Sequence, residues 1–216
     1  ERVVQLLRQV VTEDFDELAK SGFTPLCLEK DVLASLPTDW PEPLKNLAIR
    51  GRMDRIDGRD GALRVIDYKF KFGAAPKTED KNLLLAALRG QRLQPPFYIL
   101  LAAKWARESA GIAKAPSIEA DFYYIAQHWA GGPLLRIAYG SDSLADKAGA
   151  ATQQTIAYLV DGVRQGKFFL NRAEHCGRCD VATICRKNHP PSLWRAENDP
   201  LTEAHRALSG KDPKKL

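Results

Sequence analysis

The residues best suited to chemistry in this 216-residue chain lie close together: Asp54, twelve intervening residues, then Asp67 and Lys69. They fall in two segments, Gly51-Arg52-Met53-Asp54-Arg55-Ile56-Asp57 and Val65-Ile66-Asp67-Tyr68-Lys69, both with the composition of strands. Side chains alternate along a strand, so Asp67 and Lys69 point to one face while Ile66 and Tyr68 point to the other. Between the segments, Gly58-Arg59-Asp60-Gly61 carries the Asp-Gly pair of a tight hairpin. A turn near residues 59 and 60 sets Asp54 opposite Val65 and diagonal to Asp67, so that two carboxylates converge. Converging carboxylates repel unless a cation joins them, and a hard, oxygen-liganded ion such as Mg2+ or Mn2+ is the natural occupant. A lysine beside that ion can orient or help activate water and stabilise charge building on a phosphate, which is the apparatus of phosphodiester hydrolysis. Taken alone, an Asp-x-Lys pair also suits the solvated face of a hairpin, with cross-strand ion pairs of little value.

The elements that must position these residues are legible in outline. Val3, Leu7, Val10, Val11, Phe15 and Leu18 recur at helical spacing, predicting a helix over Val3–Leu18 that packs on something larger and stops at Gly22. Phe23–Lys30 and Leu47–Asp57 read as strands, separated by a connection marked by Pro37, Pro41 and Pro43. Ala62–Phe70 is the returning strand of the hairpin. Two helices follow, one over Asp80–Leu88 and one opened by Pro95-Pro96 and running to about Ser109, prolines being tolerated in a first turn. Ile118–Gln127 and Leu134–Tyr139 form a second strand pair around Ala130-Gly131-Gly132, and Ser143–Gln165 returns to helical spacing. The residues after Trp194 are polar and are expected to be extended or frayed. The domain is therefore expected to span 1–195, with 196–216 as a tail.

With Gln94-x-x-x-Tyr98 on the second helix added, the pattern around Asp54, Asp67 and Lys69 resembles the RecB-like nucleases of the PD-(D/E)xK superfamily over roughly Phe23 to Arg186. The resemblance implies a restriction-endonuclease-like α/β core, a central mixed sheet flanked by helices. It implies metal binding by Asp54 and Asp67, catalysis by Lys69, and support of the site and DNA contact by Gln94 and Tyr98. Ile66 stands where the motif has its proline. Glu29 occupies the strand before the hairpin, where related nucleases often carry a glutamate, and is a candidate further metal ligand. Family members commonly bind metal through an upstream histidine, whereas none precedes His128 in this chain.

Cys176-x2-Cys179-x5-Cys185 is spaced tightly enough for three thiolates to converge on one soft metal centre. It is similar to the C-terminal part of the iron-sulfur staple in AddB-type helicase-nuclease subunits. That likeness implies a [4Fe-4S] cluster whose fourth ligand lies outside this chain, since Cys27, the remaining cysteine, sits in a strand. Zinc with His175 or His189, or free reduced thiols, are the other readings of the same residues.

Hydrophobic residues make up 44% and charged residues 27%, an ordinary globular composition, and the net charge of +5 suits a polyanionic partner. Arg50, Arg52, Arg55, Lys71 and Lys77 gather in sequence around the proposed site and are candidates to hold DNA phosphates, or are solvated strand faces. Phe122, Tyr123, Tyr124 and Trp129 could stack on bases, although Phe122 and Tyr124 share a face with apolar neighbours and read as core. No apolar run approaches the length of a membrane span. The chain starts at Glu1 within a helical pattern and reads as a piece of a longer protein, and its cysteine usage suggests a reducing cytoplasm. By resemblance it is the nuclease domain of a bacterial helicase-nuclease that processes double-strand breaks beside a partner subunit. A catalytically inactive DNA-binding or structural domain that keeps the fold is the alternative, and a zinc-dependent binding module centred on the cysteines is a third.

Overall fold

Strand-forming segments separated by turn residues build a five-stranded sheet in the computed structural model, which describes residues 2–71, 80–109, 116–126, 132–172 and 174–211. The strands β1 (Thr24–Ser35), β2 (Ala48–Arg59), β3 (Ala62–Phe70), β4 (Ser117–Ile125) and β5 (Leu134–Gly140) lie side by side in chain order. Every neighbouring pair is antiparallel except β3 and β4, which are parallel. A parallel pair needs a long crossover, and this one carries two helices, α2 (Asp80–Leu88) and α3 (Gln94–Glu108). The expected mixed α/β sheet is therefore present.

The β2–β3 turn falls one residue later than the sequence reading placed it. Arg59 pairs with Ala62, leaving Asp60 and Gly61 at the tip, where Gly61 takes a φ of 72° that a residue with a Cβ resists. That displacement moves the register by two residues: Val65 faces Ile56, and the last pair is Arg55 with Ile66, one residue short of both Asp54 and Asp67.

Helix α3 covers one face of the sheet, closing a core that includes Ile56, Val65, Leu101, Ala102 and Phe122, all fully or almost fully buried. The proline-marked connection after β1 is not a loose loop: Leu36, Trp40 and Leu44 pack with Ile156 of α4 (Asp146–Arg164) in a second cluster. On the opposite face lies α1 (Arg2–Ser21), longer than its apolar pattern suggested. Only Leu6 and Val10 of this helix are buried, while Val3, Leu7, Val11 and Phe15 stay exposed, so most of the predicted apolar stripe is off its contact face. Charge completes the attachment. Asp14 and Glu17 pair with Arg55 and Arg64, whose guanidiniums converge on the buried Asp57 between them.

The C-terminal residues also depart from expectation. Pro190 and Pro191 open α5 (Pro190–Asn198), and α6 (Glu203–Ser209) follows, so residues 196–211 are largely helical rather than extended. Leu208 is buried, Arg89 Nε donates to the Lys211 carbonyl at 3.1 Å, and Lys211 Nζ reaches Thr155 Oγ1 at 2.7 Å. These contacts tie α6 and Lys211 to α4 and to the residue that follows α2. Among the described residues, no helix is long and apolar enough to cross a membrane.

Asp121 in β4 carries a pH dependence. Burial pushes its carboxyl up from 3.8 to about 6, only partly opposed by Arg136, whose Nε lies 2.7 Å away. The native state therefore holds this proton more tightly than the unfolded chain. Its contribution to stability is greatest below pH 4 and is lost as the pH rises from about 4 to about 6. Asp121→Asn should remove that slope, worth about 2 kcal/mol between pH 4.5 and pH 7.5, as read by denaturant unfolding at those two values.

Candidate active site

Two strand irregularities and one helix start assemble the site. Strict alternation would keep one parity of residues facing α3 along each strand, yet inward residues run Ile49 and Met53, then Ile56 in β2, and Cys27, then Val32 in β1. Both strands reverse face where Glu29 and Asp54 meet. The pairing skips that position, and Glu29 holds a φ of 50°, an uncommon conformation outside glycine. On its other side, β2 stops pairing with β3 after Arg55, and Asp54 Oδ2 accepts the Tyr68 backbone N–H at 3.1 Å. A side chain thus replaces the backbone ladder, and Asp54 is held against the strand that carries Asp67 and Lys69.

Asp67 is nearly buried, at 4% exposure. Its Oδ1 accepts Gln94 Nε2 and Tyr98 Oη, each at 2.8 Å. Gln94 also donates to Tyr98 Oη at 2.6 Å, so the tyrosine's single proton goes to the carboxylate rather than to the Arg52 carbonyl at 3.3 Å. These donors share a helix face because they are four residues apart in the first turns of α3, which Pro95 and Pro96 open. Burial, followed by the adjacent Asp67 carboxylate, holds the Tyr98 hydroxyl well above its ordinary pKa, so it remains a proton donor throughout the working range. Tyr98→Phe removes one of two hydrogen bonds at Oδ1. The expected result is about tenfold slower single-turnover cleavage with little change in melting temperature.

Lys69 Nζ lies 2.6 Å from Asp67 Oδ2 as an ion pair, but the buried oxygen receives no hydrogen bond of acceptable angle. That oxygen and the second oxygen of Asp54 are the donors left for a cation. Two carboxylates with lysine alongside suit a hard divalent ion that keeps water or substrate oxygens in its other positions. No group of three or more His, Cys, Asp and Glu side chains around one point occurs among the described residues. Glu29 in particular is engaged 2.5 Å from Arg52, with both side chains mostly exposed.

The candidate DNA contacts separate. Arg52 is exposed beside the carboxylates, and Lys71 follows directly on β3, its backbone N–H bonded to Ile125. Arg50 faces Asp31 at 3.8 Å. Arg55 is turned away from any phosphate: it is 6% exposed and bonded to Asp57, Asp14 and Tyr68 Oη on the α1 face. Burial disfavours its charge, but bonds to Asp14 and Asp57 outweigh that and raise its pKa. Its assignment to DNA binding is therefore withdrawn. Phe122 is core, stacked on Tyr98 with centroids 6.3 Å apart. Lys77, His128 and Trp129 lie outside the described residues, as does the His175 side chain.

Cys176, Cys179 and Cys185 line one cavity of about 270 Å3 with Phe169, Leu170 and Lys187. All three are partly buried, but they do not gather around a single point. His189 bonds Ser192 Oγ at 2.9 Å at the start of α5, and Cys27 packs against the main core.

Sequence reading missed the cluster of Asp14, Glu17, Arg55, Asp57 and Arg64 behind the site. The alternation of Arg55 with Asp57, and the pairing of Asp14 with Glu17 three residues on, were its available signals.

A solved structure described as the crystal structure of SSO0001 is 18% identical to this chain, with a TM-score of 0.41, covering 82% of this chain and 67% of the other. No curated protein matches. The family model for the PD-(D/E)XK nuclease superfamily matches residues 1–186, and this chain, with its carboxylates and lysine on splayed neighbouring strands, belongs to that superfamily.

Proposed function

We propose that this domain hydrolyses DNA phosphodiester bonds with Mg2+ or Mn2+, in an exonuclease-like manner. The observation that carries the reading is that Asp54 accepts the backbone N–H of Tyr68, the residue between Asp67 and Lys69, while Lys69 is ion-paired with Asp67. When bound, the ion supplies Lewis-acid polarisation of the phosphate and a more acidic water. The chain's own residues do the rest. Gln94 and Tyr98 fix the Asp67 carboxylate in one orientation, the Tyr68 N–H fixes Asp54, and the Lys69 ammonium offers a charge to a phosphate oxygen or an attacking water.

The Gln94-x-x-x-Tyr98 pair supports a finer placement among RecB-like nucleases, and the cysteine spacing supports one near AddB-type subunits. On that reading the domain works on double-strand breaks in the cytoplasm beside a helicase-nuclease partner. The thiols of Cys176, Cys179 and Cys185 would hold a [4Fe-4S] cluster once drawn together and completed by a ligand from outside the chain. Iron and sulfide analysis with visible absorption of anaerobically purified protein tests the cluster; zinc in place of iron would remove it.

The hydrolytic reading is tested by incubating the protein with linear DNA and Mg2+ or Mn2+ beside Lys69→Ala. Cutting by the parent that the variant lacks is the expected result. DNA bound but left uncut by both proteins would instead identify a non-catalytic DNA-binding domain.

A further inference from the structure

Beside Lys69, on the same face of the sheet, the parallel register sets Tyr124 of β4. A cavity of about 290 Å3 opens there, between the end of the sheet and α2. Its apolar walls include Leu83 of α2 and Ile137 of β5, together with the Tyr124 ring. Its polar groups are Asn82, Gln91, Arg92 and the Tyr124 hydroxyl, and among the described residues no carboxylate lines it. Arg92 is exposed and reaches over the rim, donating from Nη1 to Tyr124 Oη at 2.6 Å. The Asn82 side-chain nitrogen is buried without a hydrogen-bond partner. A buried amide donor left unmade is costly, so a ligand that supplies an acceptor there gains more than an ordinary surface bond would give.

We propose that this cavity is a nucleotide subsite, seating one nucleobase of the DNA strand next to the bond being cut. It rests on the hydrolytic reading above and adds to it the means by which the strand is held. The base packs on what Leu83, Ile137 and Tyr124 leave open on the cavity wall, each of the three being at most 5% exposed. Its ring carbonyls accept from Asn82, and its phosphate takes the charge of Arg92, which exchanges or shares its bond to Tyr124. A concave site with apolar walls and a few convergent polar groups is the usual form of a small-molecule site. Lys69 lies one strand away from Tyr124, so a nucleotide held here places its neighbouring phosphate toward Asp54 and Asp67.

The test is calorimetric titration of the full chain without divalent ions, using dTMP, thymidine and inorganic phosphate as probes. dTMP is expected to bind at least about tenfold more tightly than either fragment. Arg92→Ala should bring dTMP down to the level of thymidine. Asn82→Leu should weaken dTMP and thymidine about fivefold and leave phosphate unchanged. Absence of dTMP binding to the parent chain, or variants that bind as the parent does, overturns the proposal. Phosphate binding as tightly as dTMP, with loss only in Arg92→Ala, reduces the cavity to an anion site and overturns the base assignment. Failure of the subsite is separable from failure of hydrolysis. A parent that binds dTMP but never cuts DNA keeps the cavity and loses the enzyme, whereas an active parent whose Asn82→Leu and Arg92→Ala variants keep KM and kcat loses the cavity alone.

Discussion

Lys69→Ala is expected to slow DNA cleavage by about a thousandfold or more while leaving the melting temperature within about 2 °C of the parent. The side chain is 39% exposed, so its removal leaves no cavity, and Asp67 keeps the bonds from Gln94 and Tyr98 that orient it. What disappears is the ammonium beside the phosphate. Asp67→Asn should be as damaging for a different reason: it removes a charged oxygen that a cation requires, and the amide cannot accept from both Gln94 and Tyr98 while also serving a metal. The two variants separate in a Mn2+ titration of single-turnover cleavage on labelled linear duplex. Lys69→Ala should keep the parent's metal midpoint at a much lower plateau, and Asp67→Asn should show no plateau at all. Parental rates for either variant would end the assignment of these residues to the chemistry.

The second large effect is on folding. Asp57 is fully buried and accepts Arg55 Nε at 2.7 Å, Arg55 Nη2 at 2.8 Å and Arg64 Nε at 3.0 Å. Asp57→Ala leaves two guanidiniums facing each other in the interior, with Asp14 and Tyr68 Oη left to Arg55 and Glu17 left to Arg64. Breaking such a pair costs about 3–5 kcal/mol, or roughly 10 °C or more in melting temperature for a chain of this size. Thermal unfolding monitored by circular dichroism reads this directly, and a shift below about 2 °C would show that the network contributes little.

The alternation in Val65-Ile66-Asp67-Tyr68-Lys69 was enough to place Asp67 and Lys69 on one face, and the spacing of Gln94 and Tyr98 was enough to place them on one helix face, while only the family resemblance put that face at the site. The Asp-Gly pair revealed the hairpin but not which residue would occupy the tip, since either choice satisfies the local chemistry. Gly61 settles it through its positive φ, and with it the register of the hairpin. The reversal of facing at Glu29 and Asp54 was not legible, because period-two reasoning assumes an unbroken ladder. Arg55 misled for a related reason: a basic residue in a basic neighbourhood reads as a phosphate contact, and only tertiary packing shows two buried partners from other elements. In α1 the obvious apolar stripe concealed the polar edge of Asp14 and Glu17 that attaches the helix.

The parallel pairing of β3 with β4 divides the assembly of the site into a local and a distant event. Asp54, Asp67 and Lys69 belong to one hairpin, whose closure joins residues near in sequence and is fast. Gln94 and Tyr98 reach the same carboxylate only after the crossover has folded back and β4 has been laid beside β3, a slower and entropically harder closure. A chain halted between those events would present its acidic pair unrestrained, able to scavenge ions without the geometry for cleavage. Completion of the crossover is thus what pins the Asp67 carboxylate in one orientation, through two side chains that the hairpin does not contain.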